Sequence, residues 1–288
     1  MTNLQTKSSK RGPFDTVILF DKTEDSMLEV APSRGGIVVR ARIRGREILY
    51  LDEATLLDVS KNVRGGIPIC FPIAGKLSDD RASFGGKEIV LSQHGFARRS
   101  KWNVVDAGET LTIQLVSNPE TRAVFPFEFD IRVTYSIHND SLGCETTIIN
   151  TGSETLPVHL GFHPYFYIPE DIKSEFRVEA AASRAFNNRT GEHGSYEPPR
   201  FGAEEVDYHI LDPAGGAVRL RAPKGKHYSY RLDYGGFPCA VLWTLPGKDF
   251  ICLEPWTAPA GALATGEGLI QLLPNHPETR SWYIQIES

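Results

Sequence analysis

Short strand-like runs, interrupted every few residues by glycine, proline, asparagine or aspartate, constrain the fold of this chain more than any other feature. They occur at Thr16–Phe20, Gly36–Ile43, Glu47–Leu51, Leu111–Val116, Phe129–Ile137 and Glu145–Asn150. They resume at Phe176–Ala180, Ala217–Arg221, Tyr228–Leu232, Ala240–Thr244 and Ser281–Ile286. Between Asp130 and Ile137 polar and apolar residues alternate without a break, the period of a half-buried strand. Helical periodicity is confined to Glu53–Val59 and Pro119–Ala123. With 26 glycines and 19 prolines as punctuation, the pattern is that of an all-β sandwich or barrel. No fixed-period repeat or low-complexity linker divides the chain, so one domain is expected over residues 15–288, behind a flexible tail over 1–14. The longest loop candidate is the polar stretch Asn187–Pro199.

Charge and cysteine content exclude several classes of function. A formal net charge of −5 is wrong for a nucleic-acid partner, which needs a basic surface, but permits a local basic pocket for one small anion. Cys70, Cys144, Cys239 and Cys252 are scattered without a CxxC pair and lie in apolar or strand-like runs, as buried free thiols do. No stretch approaches the roughly 20 apolar residues that span a bilayer, and the polar N-terminus lacks the apolar centre of a signal peptide. A cytoplasmic protein, monomeric or weakly dimeric, is expected.

Three polar clusters stand out among these runs. In Asn62 to Pro72, two glycines followed by two prolines preclude a helix or central strand. That makes an irregular loop whose backbone approaches something closely. Arg64 at its entrance offers a planar fork for a carboxylate, phosphate or vicinal hydroxyls, or else is a surface arginine before a turn. Gln93-His94-Gly95-Phe96-Ala97-Arg98 gathers an amide, an imidazole and a guanidinium around a glycine turn. His94 is either a core histidine bonded to backbone or part of a site, while Arg99 and Lys101 read as solvated charge. His159 and His163, bracketed by Pro157 and Pro164, share a strand face. With no further ligand nearby, His159 reads as structural. His163 precedes a proline and is therefore presented from extended backbone. Glu254 closes the apolar run Phe250-Ile251-Cys252-Leu253. There it is costly unless paired, or it reaches solvent at the strand end. In a pocket, desolvation would raise its pKa toward that of a useful base and a nearby arginine would lower it. Asp207, in an acidic run, carries the weakest signal.

In this order the segments resemble the aldose 1-epimerase (galactose mutarotase-like) superfamily, and most closely its glucose-6-phosphate 1-epimerase branch. The likeness rests on Arg64–Pro68 leading to Phe71-Pro72 and Gly75-Lys76, on Gln93–Arg98, on His163–Phe166 and on Glu254-Pro255, and it spans residues 15 to 286. The resemblance implies a large antiparallel β-sandwich with a sugar in a groove on one sheet. It implies Glu254 as general base and His163 as general acid, with His94 assisting at the ring oxygen. Arg64, Gln93, Arg98 and Asp207 are then implied to bind substrate, the arginines being candidates for a phosphate. Ring opening, rotation and reclosure of a hexose or hexose 6-phosphate need no cofactor and no metal. Trp256-Thr257-Ala258-Pro259 departs from the usual sequence of the sugar-phosphate branch after its Glu-Pro. A non-catalytic sugar-binding or sensing protein on the same scaffold is the alternative. A glycoside hydrolase domain would need a second carboxylate about 5–10 Å from the first.

Overall fold

The longest alternating run forms the spine of the fold. In the computed structural model, which describes residues 3–138 and 140–287, Phe129–His138 is a strand that buries Ile131, Val133, Tyr135 and Ile137 and turns Arg132 outward. It pairs with Ser141–Asn150 from Phe129↔Asn150 to His138↔Ser141. This hairpin lies within an eight-stranded sheet ordered Arg177–Ala181, Ala214–Arg221, Ser229–Gly235, Pro277–Glu287, Ser141–Asn150, Phe129–His138, Leu111–Val116 and Asn103–Ala107.

A second eight-stranded sheet runs Glu192–Ser195, Arg184–Asn187, Val206–Ile210, Cys239–Thr244, Phe250–Trp256, Gly161–Phe162 and Ile69–Cys70, with Tyr165–Tyr167 also paired to Phe250–Trp256. Aromatic side chains join the two sheets. The Phe166 and Tyr230 rings are 4.4 Å apart and those of Phe162 and Trp282 5.3 Å apart. A third sheet, of Leu4–Arg11, Phe14–Asp21, Ser26–Ala31, Ile37–Ile43 and Arg46–Glu47, adds Leu19, Leu28, Val30 and Ile43 to the same core. All ladders between these strands are antiparallel among the described residues. The fold is therefore the all-β antiparallel sandwich expected from the sequence. No helix among the described residues is long and apolar enough to cross a membrane.

Three local expectations are corrected. The tail expected over 1–14 contains the strand Leu4–Arg11, which pairs along its whole length with Phe14–Asp21. Its side chains are mostly polar, but an edge strand is held by backbone hydrogen bonds and favours polar residues. Asn187–Pro199 contains the exposed strand Glu192–Ser195, which returns to Arg184–Asn187 through a turn at Gly191. In Glu47–Leu51 only Glu47 belongs to a regular strand. Leu49 and Leu51 make single bridges to Phe166 and Gly65 as the chain crosses between sheets.

The short helix Glu53–Leu57 positions the arginine loop. Asp52 caps it by accepting from the Ala54 and Thr55 amides, and Thr55 Oγ1 accepts from the Arg64 amide at 2.9 Å. The helix C-terminus would leave carbonyls unpaired, and the buried Arg34 guanidinium occupies them. It donates to the carbonyls of Leu56, Thr55, Asp58 and Lys61 at 2.8 to 3.1 Å. Replacing Arg34 with Lys, a compact donor that cannot span this fan, should lower the unfolding free energy by on the order of 2 kcal/mol. Urea titration checks this; a loss within error of zero would mean that the fan carries no stability.

Candidate active site

Alternation along Phe250–Trp256 builds the floor of a cleft. Ile251 and Leu253 enter the main core, whereas Phe250, Cys252, Glu254 and Trp256 face the other way. Cross-strand register brings the corresponding faces of the neighbours alongside. Val241 lies opposite Glu254, Trp243 opposite Cys252, and Cys239 opposite Trp256. One strand further, His209 and Asp207 lie opposite Val241 and Trp243. Two small apolar clusters result, one of Cys70, Ala74, Cys239, Val241 and Trp256 and one of Tyr165, Phe250 and Cys252. The carboxylate of Glu254 sits among these faces, at the bottom of a cleft of about 340 Å³.

Glu254 is buried, its side chain 2% exposed. Its Oε2 accepts from Trp256 Nε1 at 3.1 Å, and its Oε1 lies 3.3 Å from His163 Nε2. Burial, and then the Asp207 charge, push the carboxyl well above its ordinary range, while the indole hydrogen bond acts the other way. The same burial drives the His163 imidazolium down to about 3, and Arg98 and Arg64 add to this by repulsion. Burial alone thus favours neutrality for both groups. A neutral imidazole beside a carboxylic acid and an imidazolium beside a carboxylate carry the same net charge. The pair therefore holds one proton in either arrangement, and moving it between the two atoms changes no net charge.

His163 is fixed by its backbone amide, which donates to the Pro68 carbonyl at 3.0 Å. Its ring stacks on Tyr165 at 4.7 Å and meets His94 edge-on at 5.5 Å. Its Nδ1 is buried with no hydrogen-bond partner among the described residues. His94 and Gly75 bind each other reciprocally: the His94 amide donates to the Gly75 carbonyl at 2.7 Å, and the Gly75 amide donates to His94 Nδ1 at 3.0 Å. Nδ1 therefore carries no proton in neutral His94, which leaves Nε2 as a donor. This geometry needs left-handed backbone at His94 and Gly95, with φ of 64° and 68°. A Cβ on Gly95 would meet the Phe71 carbonyl oxygen at 2.3 Å, so glycine is required there.

The remaining expected site residues, Arg64, Gln93, Arg98 and Asp207, all line the cleft, and so does Lys76. Arg64 lies 5.2 Å over the Trp243 ring, and Tyr165 lines the same cleft. Arg98 donates to the Gln93 carbonyl, and its Nε is buried without a hydrogen-bond partner among the described residues. Burial lowers the Arg98 pKa, and the nearby Arg99 and Arg64 charges lower it further. Asp207 accepts from Asn188 Nδ2 at 2.7 Å and lies 3.3 Å from His209 Nε2. Burial raises its pKa, but those two partners outweigh burial and hold it below the ordinary carboxylate value. His159 is fully buried behind the cleft against Trp256 and the Ala74 amide. Arg99 is exposed and donates to Asn62, on a short 3₁₀ turn in place of extended backbone.

Trp243, His209, Asn188 and Glu205 also line the cleft and were not singled out in the sequence. Asp207-Tyr208-His209 placed two polar groups on one strand face, which was a legible signal. Trp243 was legible only with the strand register in hand. His163, Cys252 and Glu254 also bring one N, S or O atom each within 4.8 Å of one another. Burial, however, pushes the Cys252 thiol well above its ordinary pKa, so the cluster lacks the thiolate that would serve a metal and suits a shared proton instead.

The chain is similar to known proteins over most of its length. The family model described as aldose 1-epimerase matches residues 18–276. A Salmonella typhimurium protein named "Putative glucose-6-phosphate 1-epimerase" is 31% identical over 240 residues, spanning 77% of this chain and 76% of its own. The Lactococcus lactis protein LacX (plasmid form) is 28% identical over 257 residues, 77% of this chain and 85% of its own. The crystal structure of the Slr1438 protein from Synechocystis superposes with a TM-score of 0.88 at 33% identity, covering 94% of this chain and 95% of that one.

Burial lowers the pKa of His94, His159 and His163 alike in the folded chain. In the unfolded chain they protonate near the ordinary value of 6.5. The unfolded state thus binds more protons below that pH, and stability falls as pH drops from 6.5 toward the folded value of about 3. His159→Gln removes one such group outside the cleft. Between neutrality and about pH 5 its melting temperature should decline less steeply than wild type, by roughly 2 kcal/mol of stability at the lower end. Parallel declines would show that His159 titrates alike folded and unfolded.

Proposed function

The chain belongs to the aldose 1-epimerase family, and from that premise we propose that it interconverts the α and β anomers of a hexose 6-phosphate. The observation that carries this reading is the His163–Glu254 contact of 3.3 Å at the base of a cleft that also holds Arg64 and Arg98. Anomer exchange asks for one group to take the proton of the anomeric hydroxyl and another to give a proton to the ring oxygen. The hemiacetal C–O bond then breaks, the anomeric carbon becomes an aldehyde, and rotation followed by reclosure on the other face returns both protons. Glu254 is the base and His163 the acid in this scheme, and they exchange roles on reclosure. The pair begins and ends with one proton, which is the stoichiometry of the reaction.

His94 has a lone donor at Nε2 and suits the ring oxygen, where negative charge develops. Asp207, an ionised acceptor held by Asn188 and His209, suits sugar hydroxyls, with Gln93 as a further polar contact. Two mutually repelling arginines, one with an unused buried Nε, favour an anionic group between them. The name of the Salmonella relative points the same way. For this reading a phosphate at C6 would orient the sugar, and Lys76 stands at the exposed rim of the same cleft.

Glu254→Gln keeps the size and the hydrogen bond to Trp256 but removes the base. It should lower kcat by roughly 10²–10⁴-fold with little change in KM, in a coupled assay that consumes only one anomer. Wild-type turnover by this variant would remove Glu254 from the chemistry. Arg98→Met should raise KM for the hexose 6-phosphate by about 10–100-fold, the loss of one charge-assisted hydrogen bond. Exchange of the free hexose should stay unchanged, whereas equal loss on both substrates would assign Arg98 to sugar hydroxyls.

A further inference from the structure

Trp256 follows Glu254-Pro255 at the end of its strand, and no role in the reaction has yet fallen to it. Its indole is buried, 3% exposed, in a space that two glycines leave open. A Cβ on Gly161 would lie 2.8 Å from Trp256 Cδ1, and one on Gly75 would lie 3.2 Å from Cζ3. Three histidine rings, His94, His159 and His209, meet the indole nearly edge-on at 5.8, 5.7 and 5.3 Å. The ring is thus held on several sides, and its single polar atom points at one oxygen of the buried carboxylate, Nε1 to Glu254 Oε2 at 3.1 Å.

We infer that Trp256 is a positioning residue that reserves Glu254 Oε2 for the indole N–H and so leaves Oε1, on the His163 side, as the oxygen that exchanges the proton. This rests on the reading of Glu254 as the base. An indole N–H is a donor only and does not ionise at any working pH. Accepting that bond makes Oε2 the less basic of the two oxygens, and the carboxylate cannot rotate without breaking it. The bond also favours the ionised carboxylate, the form a base must reach in a site where burial opposes it. The proton is therefore exchanged preferentially at the oxygen 3.3 Å from the acid. The other titratable and charged groups around Glu254 are His163, Tyr165, Cys252 on its own strand, Asp207 and His209 beyond the neighbouring strand, Cys70, and His94, Arg64 and Arg98 in the same cleft. None of them is removed when the indole alone is changed.

The test is the pH dependence of kcat/KM in Trp256→Phe, with glucose 6-phosphate as the probe and Glu254→Gln measured alongside. Phe keeps an aromatic ring and deletes the donor. The expected result is a loss of about ten- to a hundredfold at neutral pH, as for a hydrogen bond to an ionised group. The acid limb should move to higher pH by about one unit or more, because the carboxylate now ionises less readily. The loss should fall on kcat and leave KM near wild type. Gly161→Ala pushes a methyl against the indole without removing any ring, and a folded sample should show the same upward shift. It serves if Trp256→Phe does not fold. An unmoved acid limb in a folded variant, with Glu254→Gln inactive, overturns the positioning role alone. If Glu254→Gln is active, the base assignment falls and the inference with it.

Discussion

A carboxylate taken out of water on a central strand is the constraint around which this molecule is built. Glu254 follows an apolar run and faces away from the main core, yet it is as buried as the core itself. An isolated charge there would be prohibitively unfavourable. It is tolerated because His163 can share its proton, Trp256 donates to it, and two arginines stand across the cleft. Each of those partners sets a requirement on a different part of the chain. His163 must precede Pro164 in extended backbone, the arginine loop must be pinned to a short capped helix, and glycines at positions 75 and 161 must leave space for the indole.

The sandwich supplies what such a pair needs, rigidity on one side and access on the other. The core face of the second sheet is locked to the first by large aromatic contacts, so the strands under Glu254, Asp207 and His209 have fixed register. The opposite face is lined with smaller apolar clusters and polar side chains brought by loops, and those loops decide what enters. Strands carry Glu254 and Asp207. Loops and short turns carry His163, His94, Arg64 and Arg98. Changing the loops would alter substrate choice while leaving the buried carboxylate where it is.

Much of this was legible in the sequence, because the signals were local and chemical. Alternation from Asp130 to Ile137 gave a strand directly, and the glycine and proline spacing around Arg64 and His94 gave turns of tight approach. The four apolar residues before Glu254 put it on a strand and left open whether it was buried and paired or reached solvent. The misses share a physical cause. Leu4–Arg11 and Glu192–Ser195 are polar edge strands, held by backbone hydrogen bonds that leave no hydrophobic period to read. His209 and Trp256 stand two residues from Asp207 and Glu254 on the same strand faces and were there to be read. Trp243, by contrast, reaches the cleft through what lies opposite it across strands, and register is a property of the folded sheet that single-strand alternation does not encode. Asp207 carried a weak signal for the same reason. Its ionised form is held by Asn188 and His209, which are arranged around it only after the sheet has formed.

The most direct measurement is anomer exchange by magnetisation-transfer NMR, with purified protein and matched concentrations of glucose 6-phosphate and glucose. A buried acid–base pair beneath an arginine-bearing cleft predicts exchange between the α and β signals of the phosphate well above the protein-free rate, with a smaller effect on free glucose. A folded sample that binds the sugar phosphate yet leaves both exchange rates at their spontaneous values would contradict it, and would leave the cleft as a binding site without chemistry.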